Sequence, residues 1–249
     1  MAGVWAFRAR SEREASRRFD RLSRQLASQG AAPVVTAMAR KAADDERRHA
    51  VRCAEVAGRY GHAAIAEETL AAGEIGPASL GARERLLYEV VAFCCVTESI
   101  NAALMTVSLE LAEAPAVRAA VREILRDEVS HARLGWAHLA AERARGGGAS
   151  IGAALPAMLS GTVRDELFSP ADDDPQGAEL SGHGELPRST RAEILVATLG
   201  AVVFPGLEAH GIDTSAGRLW LAGRRPDGAV ASPGLRRREH PLSALEEPR

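Results

Sequence analysis

One short pattern occurs twice in this chain and limits what it can fold into: Asp45-Glu46-Arg47-Arg48-His49-Ala50 and Asp127-Glu128-Val129-Ser130-His131-Ala132. A glutamate and a histidine three residues apart share one face of an α-helix but point to opposite faces of a strand. Both pairs sit on apolar seams with steps of three and four. One seam runs through Val35, Met38, Ala42, Glu46, His49, Cys53 and Val56, the other through Val121, Leu125, Glu128, His131, Gly135 and His138. An unpaired carboxylate on such a seam is costly to bury, so these side chains need partners.

Each pair is preceded by a further seam with a glutamate of its own. Helix one, about Trp5 to Gln29, carries Glu12 between Ala9 and Phe19; helix three, about Gly81 to Ala112, carries Glu98 between Cys94 and Met105. Glu12 lies 34 residues before Glu46, and Glu98 lies 30 before Glu128. Antiparallel helices joined over such distances bring mid-helix positions level. Glu14 is the rival on helix one, but its helical neighbours Arg10, Arg17, Arg18 and Arg21 mark a solvated face.

The breaks agree with this division. Gly30 to Pro33 separates helices one and two, Gly61 stops the second, and Ala114-Pro115 divides the third from the fourth, which runs to about Arg145. The connection from Gly61 to Leu80 is long enough to cross a bundle lengthwise and unnecessary for a hairpin. Gly146 to Ser150 then closes a four-helix unit over residues 1–146. Residues 147–223 read as a helical extension packed on it: a helix from about Ile151 to Leu167, an acidic loop or partly disordered linker over 169–187, an apolar helix from about Thr190 to Phe204 interrupted at Pro205-Gly206, and a last helix capped by Asp213-Thr214. The Pro/Arg-rich stretch 224–249 reads as a disordered tail. No segment alternates as a strand does, so the expected class is all-α.

Bulk properties exclude several functions. The net charge of -2 argues against broad phosphate neutralisation and hence against a nucleic-acid surface. The start lacks an apolar stretch of signal-peptide length. The longest apolar run, Tyr88 to Ala112, is broken by Glu89, Glu98, Asn101 and Glu110, as in a buried helix with functional carboxylates rather than a membrane span. Cys53, Cys94 and Cys95 have no C-x-x-C spacing and read as packing residues of a protein in the reducing cytosol.

From about Trp5 to Arg145, the two lone seam glutamates and two Glu-x-x-His pairs make the sequence resemble the ferritin-like di-iron carboxylate superfamily, which includes rubrerythrins, acyl-carrier desaturases and multicomponent monooxygenase hydroxylases. The resemblance implies a ferritin-like four-helix bundle with a long crossover connection, here followed by extra C-terminal helices. It implies two metal ions, iron in preference to manganese, with Glu12 and Glu98 as terminal ligands, Glu46 and Glu128 bridging, and His49 and His131 completing each ion. In related hydroxylases, aspartates placed as Asp45 and Asp127 accept a hydrogen bond from a metal-bound histidine; a solvent-facing helix charge is the alternative. Asn101, one turn past Glu98, is either a lining of the oxygen pocket or a polar core residue with a local partner. His138 reads as a core histidine, and His62, His183, His210 and His240 as structural or exposed. Tyr60 and Tyr88 are ten or more residues from the motif positions on their helices, which argues against a tyrosyl-radical role.

Two function classes follow. One is a di-iron oxidoreductase that activates O₂ to hydroxylate, N-oxygenate or desaturate a small-molecule or carrier-bound substrate. The other is a ferroxidase, rubrerythrin-like peroxidase or iron-handling protein. His131 disfavours a ferritin-type centre, the absence of a Cys₄ site disfavours a full rubrerythrin, and the extension could cap a substrate pocket. A protein that merely carries metal in its bundle is a third class. With no flavin or nicotinamide motif, electrons must come from a ferredoxin or reductase. A homodimer is left open.

Overall fold

A computed structural model describes residues 1–63, 73–169 and 177–224, and among these the chain is all-helical with no strand. Four long helices form its centre: α1 (Ala2–Ser28), α2 (Pro33–Arg59), α3 (Ala82–Leu111) and α4 (Pro115–Ala144). Pro33 and Pro115 open α2 and α4 at positions where a missing N–H costs no helical hydrogen bond. Gly30 (φ 70°) and Gly61 (φ 84°) follow α1 and α2 in the left-handed conformation that ends helices.

Contacts between facing residues set the directions. Ser16 Oγ donates to Ala43 O at 3.0 Å, and Trp5 and Val56 share one apolar cluster while Leu26 and Val35 share another, so α1 and α2 are antiparallel. Arg52–Glu123 (2.8 Å) and Arg48–Asp127 (3.0 Å) make α2 and α4 antiparallel. Arg83–Glu142 (2.7 Å) near one end, with Met105 and Val121 packed together toward the other, does the same for α3 and α4. Hence α2 and α3 run in the same direction. The middle of the connection expected to span them, residues 64–72, lies outside the described residues. Its ends lie far apart: Tyr60 closes α2 beside His183, near the start of α1, whereas Gly73 and Glu74 accept hydrogen bonds from Arg18 and Gln25 farther along α1.

Helix α3 departs from regular geometry in a way its seam does not announce. Val91–Thr97 forms a π-helical segment that ends directly before Glu98. The wider turn frees a carbonyl, and Thr97 Oγ1 donates to Ala92 O at 3.0 Å. Here α3 and α4 approach so closely that a Cβ on Gly135 would meet Cys94 Cβ at 2.7 Å and the Cys95 backbone nitrogen at 2.9 Å. Gly135→Ala is therefore expected to destabilise the protein by about 1–3 kcal/mol through overpacking. A thermal melt reads this as a fall of about 2–12 °C; an unchanged melt would show that the two helices can separate freely.

The C-terminal part differs from expectation at three places. The helix expected from Ile151 to Leu167 is α5 (Ile151–Thr162) followed by a 3₁₀ turn, Asp165–Phe168, because Val163 adopts an extended conformation (φ -121°, ψ 126°). Within the stretch expected as a loop or linker, Gly177–Ser181 forms the short helix α6, and the chain after it is docked: Trp5 Nε1 donates to His183 O at 3.0 Å and Arg8 to Gly184 O at 2.6 Å. Residues 170–176 of that stretch lie outside the described residues. The apolar helix α7 (Arg188–Ala209) runs through Pro205 without interruption. A second π segment, Leu199–Val203, precedes that proline and opens the turn its ring would otherwise crowd. In α8 (Ser215–Ala222), Asp213 Oδ1 accepts from Ser215 N at 2.9 Å, while Thr214, at the cap position, makes no side-chain cap bond. Residues 225–249, nearly all of the expected tail, lie outside the described residues.

α3 and α7 are both long and apolar enough to cross a membrane by length and composition. Most of the apolar window of α3 is buried against its neighbours, as in a core helix.

Candidate metal centre

The six side chains singled out by seam and spacing meet at one level between α1, α2, α3 and α4. Two groups with mutually close ligand atoms form: Glu12, Glu46, His49 and Glu128; and Glu46, Glu98, Glu128 and His131. Glu46 and Glu128 belong to both. Glu46, His49, Glu98, Glu128 and His131 are buried, and Glu12 is partly exposed. The rival Glu14 is at the surface, paired with Arg18 at 3.1 Å.

The two histidines are held in matching ways. His49 Nδ1 lies 3.3 Å from Glu46 Oε2 and 4.0 Å from Glu128 Oε1; His131 Nδ1 lies 3.1 Å from Glu46 Oε1 and 3.4 Å from Glu128 Oε2. The opposite ring nitrogens face aspartates across the helix pair. His49 Nε2 is 3.3 Å from Asp127 Oδ2, and His131 Nε2 is 3.4 Å from Asp45 Oδ2. Each aspartate thus serves the histidine of the other helix. Arg48 ties the two together, donating to Asp45 at 2.8 Å and to Asp127 at 3.0 Å. With Nε2–H donated to an aspartate, each Nδ1 faces the glutamates and is the nitrogen that would be freed for a metal on deprotonation.

Several buried atoms here lack hydrogen bonds. No hydrogen bond reaches either carboxylate oxygen of Glu128 or Nδ1 of His131, although all three are buried. Unsatisfied polar atoms of this kind are expensive in a packed core, and oxygen donors together with imidazole are the set that iron or manganese takes. Buried glutamate and histidine groups of this kind could hold a metal ion.

Without metal the cluster holds protons. Burial, reinforced by the charge of Glu46, pushes the Glu12 carboxyl well above the usual range; burial and Glu128 do the same to Glu98. Burial works against the ionised forms of Glu46 and His131 too, but their mutual attraction prevails: Glu46 is held down at about 2, and His131, between Glu128 and Glu46, is raised to about 10. His49 is raised in the same direction, against burial, by Glu46 and Glu128. Asp127 is lowered to about 2 despite burial, by Arg126 and His49.

A cavity of about 840 Å³ reaches this cluster. Glu12, Glu46 and Glu98 line one part of it; Leu104, Met105, Val163, Leu167 and Leu195 form apolar wall. It lies between α1, α3 and the C-terminal extension. The partial exposure of Glu12 is explained by its place on this lining. Asn101 lines the cavity as well and makes no hydrogen bond to the six among the described residues. His138 is buried farther along α4, outside the cluster.

The π segment and the exchange of aspartates were not anticipated, whereas the cavity lies where the extension was expected to cap a pocket. The seam periodicity hides the first, because Val90 to Val96 are buried all round. The paired Asp-Glu-x-x-His was a usable signal for the second. No protein-family model, no curated protein and no solved structure matches this chain.

Proposed function

We propose that this chain is a ferritin-like di-metal carboxylate protein that uses iron to activate dioxygen and oxidise an organic substrate. The observation that carries the reading is the pair of ligand groups sharing Glu46 and Glu128, opening on a cavity large enough for an organic molecule. Glu12 with His49, and Glu98 with His131, would complete the two positions. When bound, a pair of ferrous ions supplies electrons to dioxygen, chemistry that belongs to the metal.

The residues supply the rest. Asp45 and Asp127 fix the orientation and tautomer of the histidines, so that each Nδ1 faces the glutamates. Glu46 and Glu128, shared between the positions, fix their spacing. Phe19 packs on His131 with ring centroids 5.1 Å apart and helps keep water from the buried side. Electrons come from a separate ferredoxin or reductase. The cavity favours an organic substrate over iron storage, which needs no largely apolar cleft beside its ligands.

Anaerobic addition of Fe(II), metal quantification and exposure to oxygen test the reading. About two ions per chain, one for each ligand group, and consumption of oxygen are expected. No bound iron overturns it, and mineral growth on repeated iron addition transfers the protein to the ferroxidase class. Asp127→Asn is expected to weaken iron binding about 10–100-fold, because the amide cannot replace the anion behind His49. An unchanged affinity would show that Asp127 only pairs with Arg48 and Arg126.

A further inference from the structure

The cavity beside the carboxylates is chemically divided. Its lining includes Glu12, Glu46 and Glu98 of the cluster and the apolar side chains of Leu104, Met105 and Leu195. Its remaining lining includes four arginines, Arg8, Arg164, Arg188 and Arg191, against two glutamates, Glu166 and Glu185. Three of the arginines come from the extension, which also contributes apolar wall.

The charges of these side chains do not cancel. Glu185 is shared, lying 4.0 Å from Arg8 and 3.3 Å from Arg191. Both of these arginines keep a buried nitrogen without a hydrogen bond, Nη1 of Arg8 and Nε of Arg191. Arg164 is exposed, and no hydrogen bond or ion pair holds its guanidinium among the described residues. Among the described residues of this lining, Arg8, Arg164 and Arg191 stand against Glu166 and Glu185, and Arg188 is engaged already. Guanidinium groups with donors to spare are suited to a carboxylate, which they bind through paired N–H bonds.

We propose that the cavity binds a carboxylic acid with an apolar body, its carboxylate held by Arg164 and Arg191 and its body lying on Leu104, Met105 and Leu195. This rests on the reading of the cluster as an oxidising di-metal centre only in making the acid a substrate; the binding itself requires no metal. The orientation follows from the unused donors: the guanidinium groups receive the carboxylate, and the apolar body lies against Leu104, Met105 and Leu195. Oxidation would then fall on the body, at atoms remote from the carboxylate. The volume suits an acid of drug-like size, within the roughly 300–1,000 Å³ range of small-molecule pockets.

Titration calorimetry on the full-length metal-free protein tests the binding apart from the chemistry. Octanoate, dodecanoate and 4-phenylbutyrate are compared with dodecanol, dodecylammonium and dodecyl phosphate. The acid of matching length is expected to bind at least about tenfold more tightly than the alcohol or the ammonium of the same chain, the scale of one charge-assisted pair. Tighter binding of the phosphate than of the carboxylate would overturn the choice of head group. Arg164→Gln, at an exposed position, is expected to weaken the acid by about tenfold and leave the alcohol within twofold. Leu195→Trp, which fills the wall, should weaken both. Equal binding of acid and alcohol, no saturable binding of any acid, or an acid affinity untouched by Arg164→Gln overturns the proposal. Acid binding without iron binding would leave this inference standing and remove the oxygenase reading; iron binding and oxygen consumption without acid binding would do the reverse.

Discussion

Replacing Glu46 and Glu128 together by alanine is expected to abolish iron binding, from about two ions per chain to none. Either carboxylate alone belongs to both ligand groups, so Glu46→Ala should weaken both positions at once. Glu12→Ala and Glu98→Ala each touch one group and should leave about one ion in place. This contrast distinguishes a shared pair from two independent sites. The same variants are read by melting. A metal that binds only the folded state, at about a hundred to a thousand times its dissociation constant, contributes about 3–4 kcal/mol. For a chain of this size that is about 6–16 °C in melting temperature. The gain should vanish in the double variant. Its metal-free melting temperature serves as the folding control, and retained iron with an undiminished gain would sink the assignment.

The second large effect is on protons. In the metal-free cluster burial pushes the Glu12 and Glu98 carboxyls up toward the protonated form, and His131, raised to about 10, keeps its proton at neutral pH. Ligation requires these groups to be free of protons, so loading should release them, with His49 adding to the total. Calorimetry in buffers of different ionisation enthalpy should register net proton release, with His131 contributing about one proton and the raised Glu12, Glu98 and His49 adding to it, and affinity should rise with pH.

The stability of the metal-free protein should move the other way. The raised group His131 contributes stability fully present below its unfolded value near 6.5 and lost as pH climbs through about 10. The lowered group Glu46 contributes stability present above its ordinary 4.5 and lost as pH falls through about 2. From about pH 6 to 9 the melting temperature without metal should therefore fall slowly while the increment added by metal widens. Metal binding with no proton release would mean that the ions bind elsewhere.

Much of this was legible because the cues are local or periodic. Glu46 with His49 and Glu128 with His131 are fixed to one helix face by their spacing alone, and the even separations from Glu12 and Glu98 place four helix midpoints at one level. The limits of α1, α2 and α4 followed from Gly30, Gly61, Pro33 and Pro115. What escaped depends on packing between distant segments. The π segment before Glu98 is coupled to the close approach of Gly135 to Cys94, a contact between residues some forty positions apart in the chain. Pro205 looked like an interruption because a proline excludes regular α geometry, whereas the π turn ahead of it admits the ring. The docking of His183 on Trp5 and Tyr60 could not be foreseen from a Gly-rich stretch. The cavity is a property of all these surfaces together, and no single stretch announces it.

The crossed aspartates have a consequence for how such a centre can be built at all. Neither helix hairpin is self-sufficient: α1–α2 holds Glu12, Glu46 and His49 but borrows Asp127 to orient its histidine, and α3–α4 holds Glu98, Glu128 and His131 but borrows Asp45. Every deficiency of one half is an offering of the other. Such reciprocity is the geometry of a two-fold homodimer, in which a patch completes itself by meeting its own copy. A gene for one hairpin, pairing with itself, would already contain the whole centre. Fusing two copies would preserve it while allowing the halves to diverge, one acquiring a π turn, the other keeping its regular helices.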